Sequence, residues 1–145
     1  MPKVDFYILP DENPATRLTF ACRLIEKAYK NRHRIYIHTN NERDAHQLDE
    51  LLWTYHETSF LPHHLCGEGP EPAPPIQIGF EVTPDKHRDI LINLSDATPL
   101  FYSKFTRILE LIINEPHAQA SARERYRNYR TAGCDMTTHK LDTVE

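Results

Sequence analysis

Short apolar runs that alternate with helical patterns are the feature that most constrains the fold of this chain. The runs "VDFYIL" (4–9), "RIYIHT" (34–39), "IQIGF" (76–80) and "DILINL" (89–94) are short and rich in β-branched and aromatic residues, which predicts buried strands. Helical patterns separate these runs, and the alternation indicates an α/β fold with a mostly parallel sheet flanked by helices. A chain of 145 residues suits one domain. We therefore predict a single domain over 1–145.

Two helix starts have local chemical signals. Asn13 can cap a first helix that has Pro14 at its first position, where the missing amide hydrogen is not needed. Asn41 precedes two acids in the segment 40–53, which predicts a second capped helix.

The remaining segments carry weaker signals. Residues 60–75 hold five prolines and two glycines, which predicts a long loop rather than a helix or central strand. A short helix is expected over 99–105, and 107–113 is either a strand or the end of that helix; we favour the strand. A last helix is expected over 116–130, and 131–145 can be a loosely ordered C-terminal extension.

Charge and composition exclude several classes of protein. The net charge is 17 − 21 = −4, which argues against a general DNA-binding protein because phosphate neutralisation dominates such binding. The sequence has no apolar run of ~18 residues and no signal-peptide pattern at its start. Three cysteines in distant contexts predict reduced thiols rather than a disulfide framework. We expect a cytoplasmic protein without a membrane segment.

The sequence lacks the motifs of nucleotide, metal and nucleophile sites. The paired glycines Gly67 and Gly69 enclose an acid and precede no helix, so a phosphate cradle is not expected there. His63, His64 and Cys66 lie close together, but no fourth ligand has the usual spacing. We therefore predict no cofactor, no metal site and no catalytic residue.

The stretch "SARERYRNYR" (121–130) places a basic and aromatic helix face in an acidic protein. At about 100° per residue, four side chains share one side of the helix: Arg123, Tyr126, Arg127 and Arg130. The opposite side has four residues, of which the two alanines suit close packing on a sheet: Ala118, Ala122, Arg125 and Tyr129.

Three interpretations of the Arg–Tyr face stay open from the residues alone. It can be a solvated helix face, which is the usual role of a charged stretch. It can bind an acidic peptide with a hydrophobic anchor, because arginine forks pair with carboxylates and tyrosine offers an apolar wall. It can also bind single-stranded nucleic acid directly, by stacking a base above a contacted backbone. The spacing favours neither ligand.

A second surface lies where a helix gives way to the proline-rich loop. Aromatic and apolar side chains cluster there: Trp53, Tyr55, Phe60, Leu61 and Pro62. Some of them belong to the core, and the others form a candidate partner surface, since tryptophan and tyrosine often dominate binding energy.

These motifs together resemble the chi subunits of bacterial DNA polymerase III holoenzymes. The similar segments occur in order along the whole chain: "VDFYIL", "LDELLW", "SFLPHHL-CGEGP", "RDILINL" and "ARERYRNYR-TAG". The resemblance implies a non-catalytic accessory protein of the clamp-loader assembly. It also implies an α/β fold like that of mononucleotide-binding domains but without a nucleotide site.

The resemblance further implies two partners. One is the acidic C-terminal tail of the single-stranded DNA-binding protein, through which the chain reaches nucleic acid indirectly. The tail-binding arginine and tyrosine of the family correspond to Arg123 and Tyr126, with Arg127 as the neighbouring basic position and Arg130 on the same helix face.

The other implied partner is the psi subunit, which ties the family to the clamp loader. The psi-facing tryptophan and phenylalanine of the family correspond to Trp53 and Phe60, with Pro62 and His63 beside them. Direct binding of single-stranded nucleic acid by the last helix is the alternative hypothesis.

Overall fold

The computed structural model describes residues 2–55, 62–65, 74–80 and 89–142. Within these ranges seven strands form one sheet in the order β3-β4-β2-β5-β6-β1-β7, and every described pairing is parallel. The strands are β1 (Lys3–Ile8), β2 (Ile35–His38), β3 (His63–Leu65), β4 (Ile76–Gly79), β5 (Ile90–Asn93), β6 (Arg107–Ile112) and β7 (Asp135–Lys140). The helices are α1 (Pro14–Lys30), α2 (Glu42–Thr54) and α3 (Pro116–Thr131), with a short 3-10 helix at Tyr102–Lys104.

The predicted α/β fold is confirmed, and the helices begin where the capping residues indicate. The side chain of Asn13 accepts the amide hydrogen of Ala15 at 3.0 Å, and that of Asn41 accepts from Asp44 at 2.9 Å. The strand favoured over 107–113 is β6. The four other predicted strands are β1, β2, β4 and β5.

Helices cover both faces of the sheet, because alternate residues of each strand point to opposite sides. On one face Leu111 of β6 packs in the same cluster as Ile25 of α1. On the other face Ile112 of β6 packs with Tyr129 of α3. The crossovers through α1 and α2 thus lie on one side of the sheet, and the crossover through α3 lies on the other.

Two edge strands correct the sequence prediction. β3 lies inside the segment 60–75 that was predicted to be a loop, and β7 lies inside the predicted extension 131–145. β3 has three residues, and β7 is the polar sequence "DMTTHK" with no fully buried residue. Neither edge strand therefore contains the apolar run by which buried strands are recognised.

A buried carboxylate helps to attach β7 to the sheet. β7 pairs with β1 over six residues, and His139 of β7 stacks on Tyr7 of β1 with ring centroids 4.7 Å apart. Asp5 of β1 is 1% exposed and lies 2.7 Å from Arg107 Nε and 2.9 Å from His139 Nε2. Burial raises the pKa of Asp5, but the hydrogen bonds from His139 and Arg107 outweigh it and hold the pKa below its ordinary value.

The lowered pKa of Asp5 predicts a loss of stability in acid. A carboxyl with a depressed folded-state pKa stabilises the fold above its unfolded-state pKa, and this contribution disappears as the pH falls through the folded-state value. Asp5→Asn should lower the free energy of unfolding near neutral pH, and the deficit should shrink below about pH 4. Urea unfolding from neutral to acidic pH measures it, with the exposed Glu12→Gln as control. A deficit that is constant across this range would contradict the assignment.

Candidate functional site

Both ends of α3 are fixed by local chemistry. At its start the carboxylate of Glu115 accepts the amide hydrogens of His117 at 2.9 Å and Ala118 at 2.8 Å. At its end Gly133 has φ +86° and donates its amide hydrogen to the carbonyl of Arg130 at 3.0 Å. Glycine adopts this left-handed conformation without steric cost. The length of α3 follows from these two ends.

A buried polar network sets the rotation of α3 on the sheet. Glu110 of β6 is fully buried, and its Oε1 accepts from Nε of Arg125, which is 4% exposed, at 3.0 Å. Its Oε2 accepts from the hydroxyl of Tyr129 at 2.7 Å and from the side-chain amide of Asn93 at 2.8 Å. Burial raises the pKa of Glu110, while these donors act in the opposite direction. The predicted packing face of α3 is therefore confirmed, and it carries a paired charge.

The opposite side of α3 borders a groove of about 500 Å³ above β1, β6 and β7. The ring of Tyr126 is half-buried and lies 5.2 Å from that of Phe6. Arg123 and Arg127 are exposed at the rim, and no ion pair within the described part of the chain involves either of them. The lining residues are Phe6, Ile8, Ile112, Gln119, Ala122, Arg123, Tyr126, Arg127 and Thr138.

The groove brings together three of the four residues predicted on the Arg–Tyr face. Arg130 is exposed one turn further along α3 and does not line the groove. The apolar floor was missed, because Phe6 and Ile8 belong to a run predicted only as a buried strand. Thr138 was missed together with β7. Two arginines beside an apolar floor can hold a carboxylate-rich chain that inserts one hydrophobic side chain.

The second predicted surface is centred on Trp53 at the end of α2. Trp53 is 56% exposed, and its ring lies 4.6 Å from that of His63. The side chain of His63 is 1% exposed, and its Nε2 lies 3.2 Å from both the carbonyl and the carboxylate of Asp49. His63 thus packs against the ring of Trp53, and its own side chain is almost completely buried. Pro62 is half-buried beside it, and Phe60 lies outside the described residues.

The crevice at the carboxyl ends of β1 and β6 is where related α/β folds bind nucleotides, because their chain connections diverge there. In this chain the first amide hydrogens of α3 are bound by the carboxylate of Glu115, in the position that a phosphate takes at a helix N-terminus. Arg17, which lines the crevice, donates from Nε to the carbonyl of Leu111 at 2.8 Å. The first amide hydrogens of α3 and Nε of Arg17, at this edge of the sheet, are therefore already hydrogen-bonded within the chain.

Within the residues that the structure describes, no three His, Cys, Asp or Glu side chains are arranged to hold a metal ion. Cys66 and the side chain of His64 lie outside those ranges. No helix in the described ranges is long and apolar enough to cross a membrane.

Cys22 and Cys134 are free and buried, and burial raises the pKa of the Cys22 thiol to about 12.

The fold and its surfaces define a class: a parallel α/β domain that presents a cationic groove beside one helix and an exposed tryptophan on another. The whole chain is also similar to known proteins. Residues 1–137 match the family model described as DNA polymerase III chi subunit, HolC, and the chain belongs to this family. The family predicted from the sequence motifs is confirmed.

Several relatives have similar sequences over nearly their full length. The DNA polymerase III subunit chi of Pseudomonas aeruginosa is 38% identical over 144 residues, which is 99% of this chain and 100% of the relative. The subunit chi of Escherichia coli is 32% identical over 143 residues, 95% of this chain and 97% of the relative. That of Haemophilus influenzae is 31% identical over 137 residues, 94% of this chain and 95% of the relative.

The buried network predicts a large loss of stability on removal of one partner. Glu110→Ala leaves the charge of Arg125 buried without its carboxylate, so the free energy of unfolding should fall by about 3–5 kcal/mol. The double variant Glu110→Leu/Arg125→Met should lose much less than the sum of the losses in its two single variants, Glu110→Leu and Arg125→Met. Urea unfolding of the four proteins measures the coupling, and Glu124→Ala, an exposed acid of the same helix, should change little. Additive effects would show that the pair does not hold α3.

Proposed function

We propose that this chain is a non-catalytic accessory subunit of DNA polymerase III that connects the clamp loader to the single-stranded DNA-binding protein. It binds the acidic C-terminal tail of that protein in the α3 groove, and it binds psi through the surface around Trp53. The observation that carries the proposal is the groove itself, where exposed Arg123 and Arg127 border an apolar floor. Membership of the chi family supports it.

The groove supplies the three contacts that such a tail requires. The floor formed by Phe6, Ile8 and Ile112 accepts the hydrophobic terminal side chain of the tail. Arg123 and Arg127 at the rim pair with its aspartates and its terminal carboxylate. Tyr126 is packed against Phe6 and so forms a rigid wall between the floor and the rim.

The chemistry of the rim predicts weak and rapidly reversible binding. Exposed ion pairs contribute about 0–1 kcal/mol each, and salt screens them. The single-stranded DNA-binding protein displays several tails along a coated strand, so repeated encounters raise the effective affinity. A connector that binds in this way can release one tail and bind the next as the template moves.

The psi surface is supported by the exposure of Trp53. A tryptophan that is 56% exposed leaves a large apolar area in water, and such residues dominate binding energy at interfaces. His63 packs against the Trp53 ring, and Asp49 holds His63 in place. Trp53 therefore makes the direct contact with psi in this proposal, and His63 positions it.

Removal of the groove contacts should weaken tail binding. Tyr126→Ala should reduce the affinity for a peptide ending in Asp-Asp-hydrophobic-Phe by about tenfold, the equivalent of about 1.4 kcal/mol, and Arg123→Ala should reduce it by about two- to fivefold, because an exposed ion pair contributes at most about 1 kcal/mol. Isothermal titration calorimetry with the full chain measures this, and the affinity of the wild type should fall as salt rises.

The matched control is Arg43→Ala, which removes an exposed arginine of α2 far from the groove and should leave the affinity unchanged. Unaltered affinity in Arg123→Ala and Tyr126→Ala would refute the tail site. Tight binding of a protein-free oligonucleotide that the same two variants abolish would favour the alternative function, direct nucleic-acid binding by α3.

Removal of Trp53 should release psi. The variant Trp53→Ala should reduce co-purification with psi at least tenfold, because a hot-spot tryptophan contributes about 2 kcal/mol or more. Leu100→Ala is the control, since Leu100 is also an exposed apolar residue, at 98%. Full retention of psi by Trp53→Ala and by the double variant with Phe60→Ala would place the interface elsewhere.

A further inference from the structure

A second cationic surface lies on the α1 side of the sheet, on the opposite face from the α3 groove. The segment 23–34 contains one acid, Glu26, in an otherwise acidic chain. Its five permanent cations form what we call the α1 strip: Arg23, Lys27, Lys30, Arg32 and Arg34. All five are exposed.

Two adjacent cavities follow this strip, and Lys30 lines both. The first, of about 650 Å³, has Tyr7 and Phe20 among its lining residues, and Arg23 and Lys27 border it.

The second cavity, of about 440 Å³, lies at the turn from α1 into β2. Tyr29 and Pro75 line it together with Arg32 and Arg34. Each of the two cavities thus combines a half-buried tyrosine, Tyr7 in the first and Tyr29 in the second, with cations of the α1 strip.

Carboxylates neutralise only part of the α1 strip. Glu26 lies 3.9 Å from Lys30. Asp89 accepts the backbone amide hydrogen of Arg34 at 2.8 Å and lies 4.0 Å from His33. In the described ranges no ion pair involves the side chains of the four arginine and lysine residues that remain, namely Arg23, Lys27, Arg32 and Arg34.

Arg32 occupies a position that favours glycine. It follows the cap of α1 with φ 64°, and its amide hydrogen bonds to the carbonyl of Tyr29 at 2.9 Å. Gly133 closes α3 with the same hydrogen-bond pattern and φ 86°. An L-residue pays a steric cost in this conformation that glycine avoids. At position 32 the chain therefore places a cation at the expense of backbone energy.

We propose that the α1 strip binds the phosphate backbone of single-stranded nucleic acid, with a base stacked on Tyr29. Lys, Arg and aromatic side chains along one groove are the combination that binds single strands without reading their sequence. The strip extends roughly 20 Å, from the 1.5 Å rise per residue of α1 and the reach of the turn. An extended polyanion matches such a strip, whereas a short peptide with one hydrophobic anchor matches the compact α3 groove. The proposal does not depend on tail or psi binding.

The test is fluorescence anisotropy of a labelled oligothymidylate of about 20 nucleotides with the full chain, at salt from about 50 to 200 mM. The variant Lys30→Gln/Arg32→Gly should weaken binding about tenfold at the lowest salt. It should also reduce the slope of log affinity against log salt by about 1.4, because two phosphate contacts are removed at about 0.7 each. Arg43→Gln, an exposed arginine of α2, should leave both quantities unchanged.

A stability measurement separates lost binding from damaged folding. Arg32→Gly alone should raise the urea midpoint, since glycine relieves the left-handed backbone, and yet should weaken oligonucleotide binding. Equal binding by the wild type and the double variant would overturn the proposal, as would a loss of binding in Arg123→Gln/Arg127→Gln with the α1 strip intact. Displacement of the oligonucleotide by poly-aspartate at equal charge concentration would instead identify an acidic protein segment as the ligand.

Discussion

The carboxylate of Glu110, buried in the middle of the sheet, is the group on which the arrangement of α3 depends. It accepts hydrogen bonds from Arg125 and Tyr129, which lie four residues apart on α3, and from Asn93 on the neighbouring strand. A buried charge is tolerated only where its lone pairs are satisfied, so α3 cannot rotate without losing these contacts. Because the packing face is held in this way, Arg123, Tyr126 and Arg127 are directed toward the groove.

The groove also depends on the edge of the sheet, since four of its nine lining residues come from strands. Phe6 and Ile8 belong to β1, and Thr138 belongs to β7. β7 has no apolar face of its own, and it stays on the sheet through its pairing with β1 and through the contacts of His139 with Asp5 and Tyr7. Two buried carboxylates, one on each face, thus control the two walls of the proposed tail site. Loss of the Asp5 charge would weaken the contacts of this carboxylate with Arg107 and His139 and so loosen the β7 wall.

The sequence predicts well what depends on local periodicity and capping. The five inner strands, the starts of the helices and the two faces of α3 all follow from spacing and from residues such as Asn13 and Asn41. It does not predict β7 or the floor of the groove, because an edge strand needs no apolar run and because Phe6 meets Tyr126 across 120 positions of the chain. It places Arg125 on the packing face without revealing its partner, since nothing local to either residue links Arg125 to Glu110.

The carboxyl edge of the sheet explains why the proposed binding surfaces of this parallel α/β fold lie elsewhere. A parallel sheet whose connections diverge between β1 and β6 opens a crevice, and a helix N-terminus beside it attracts an anion. Here Glu115 supplies that anion from the chain itself, which lowers its own pKa through the amide hydrogens of His117 and Ala118. A phosphate would have to displace a tethered carboxylate that is already in place. The exposed faces of the helices then carry the cations, and ligands can reach these without entering the crevice.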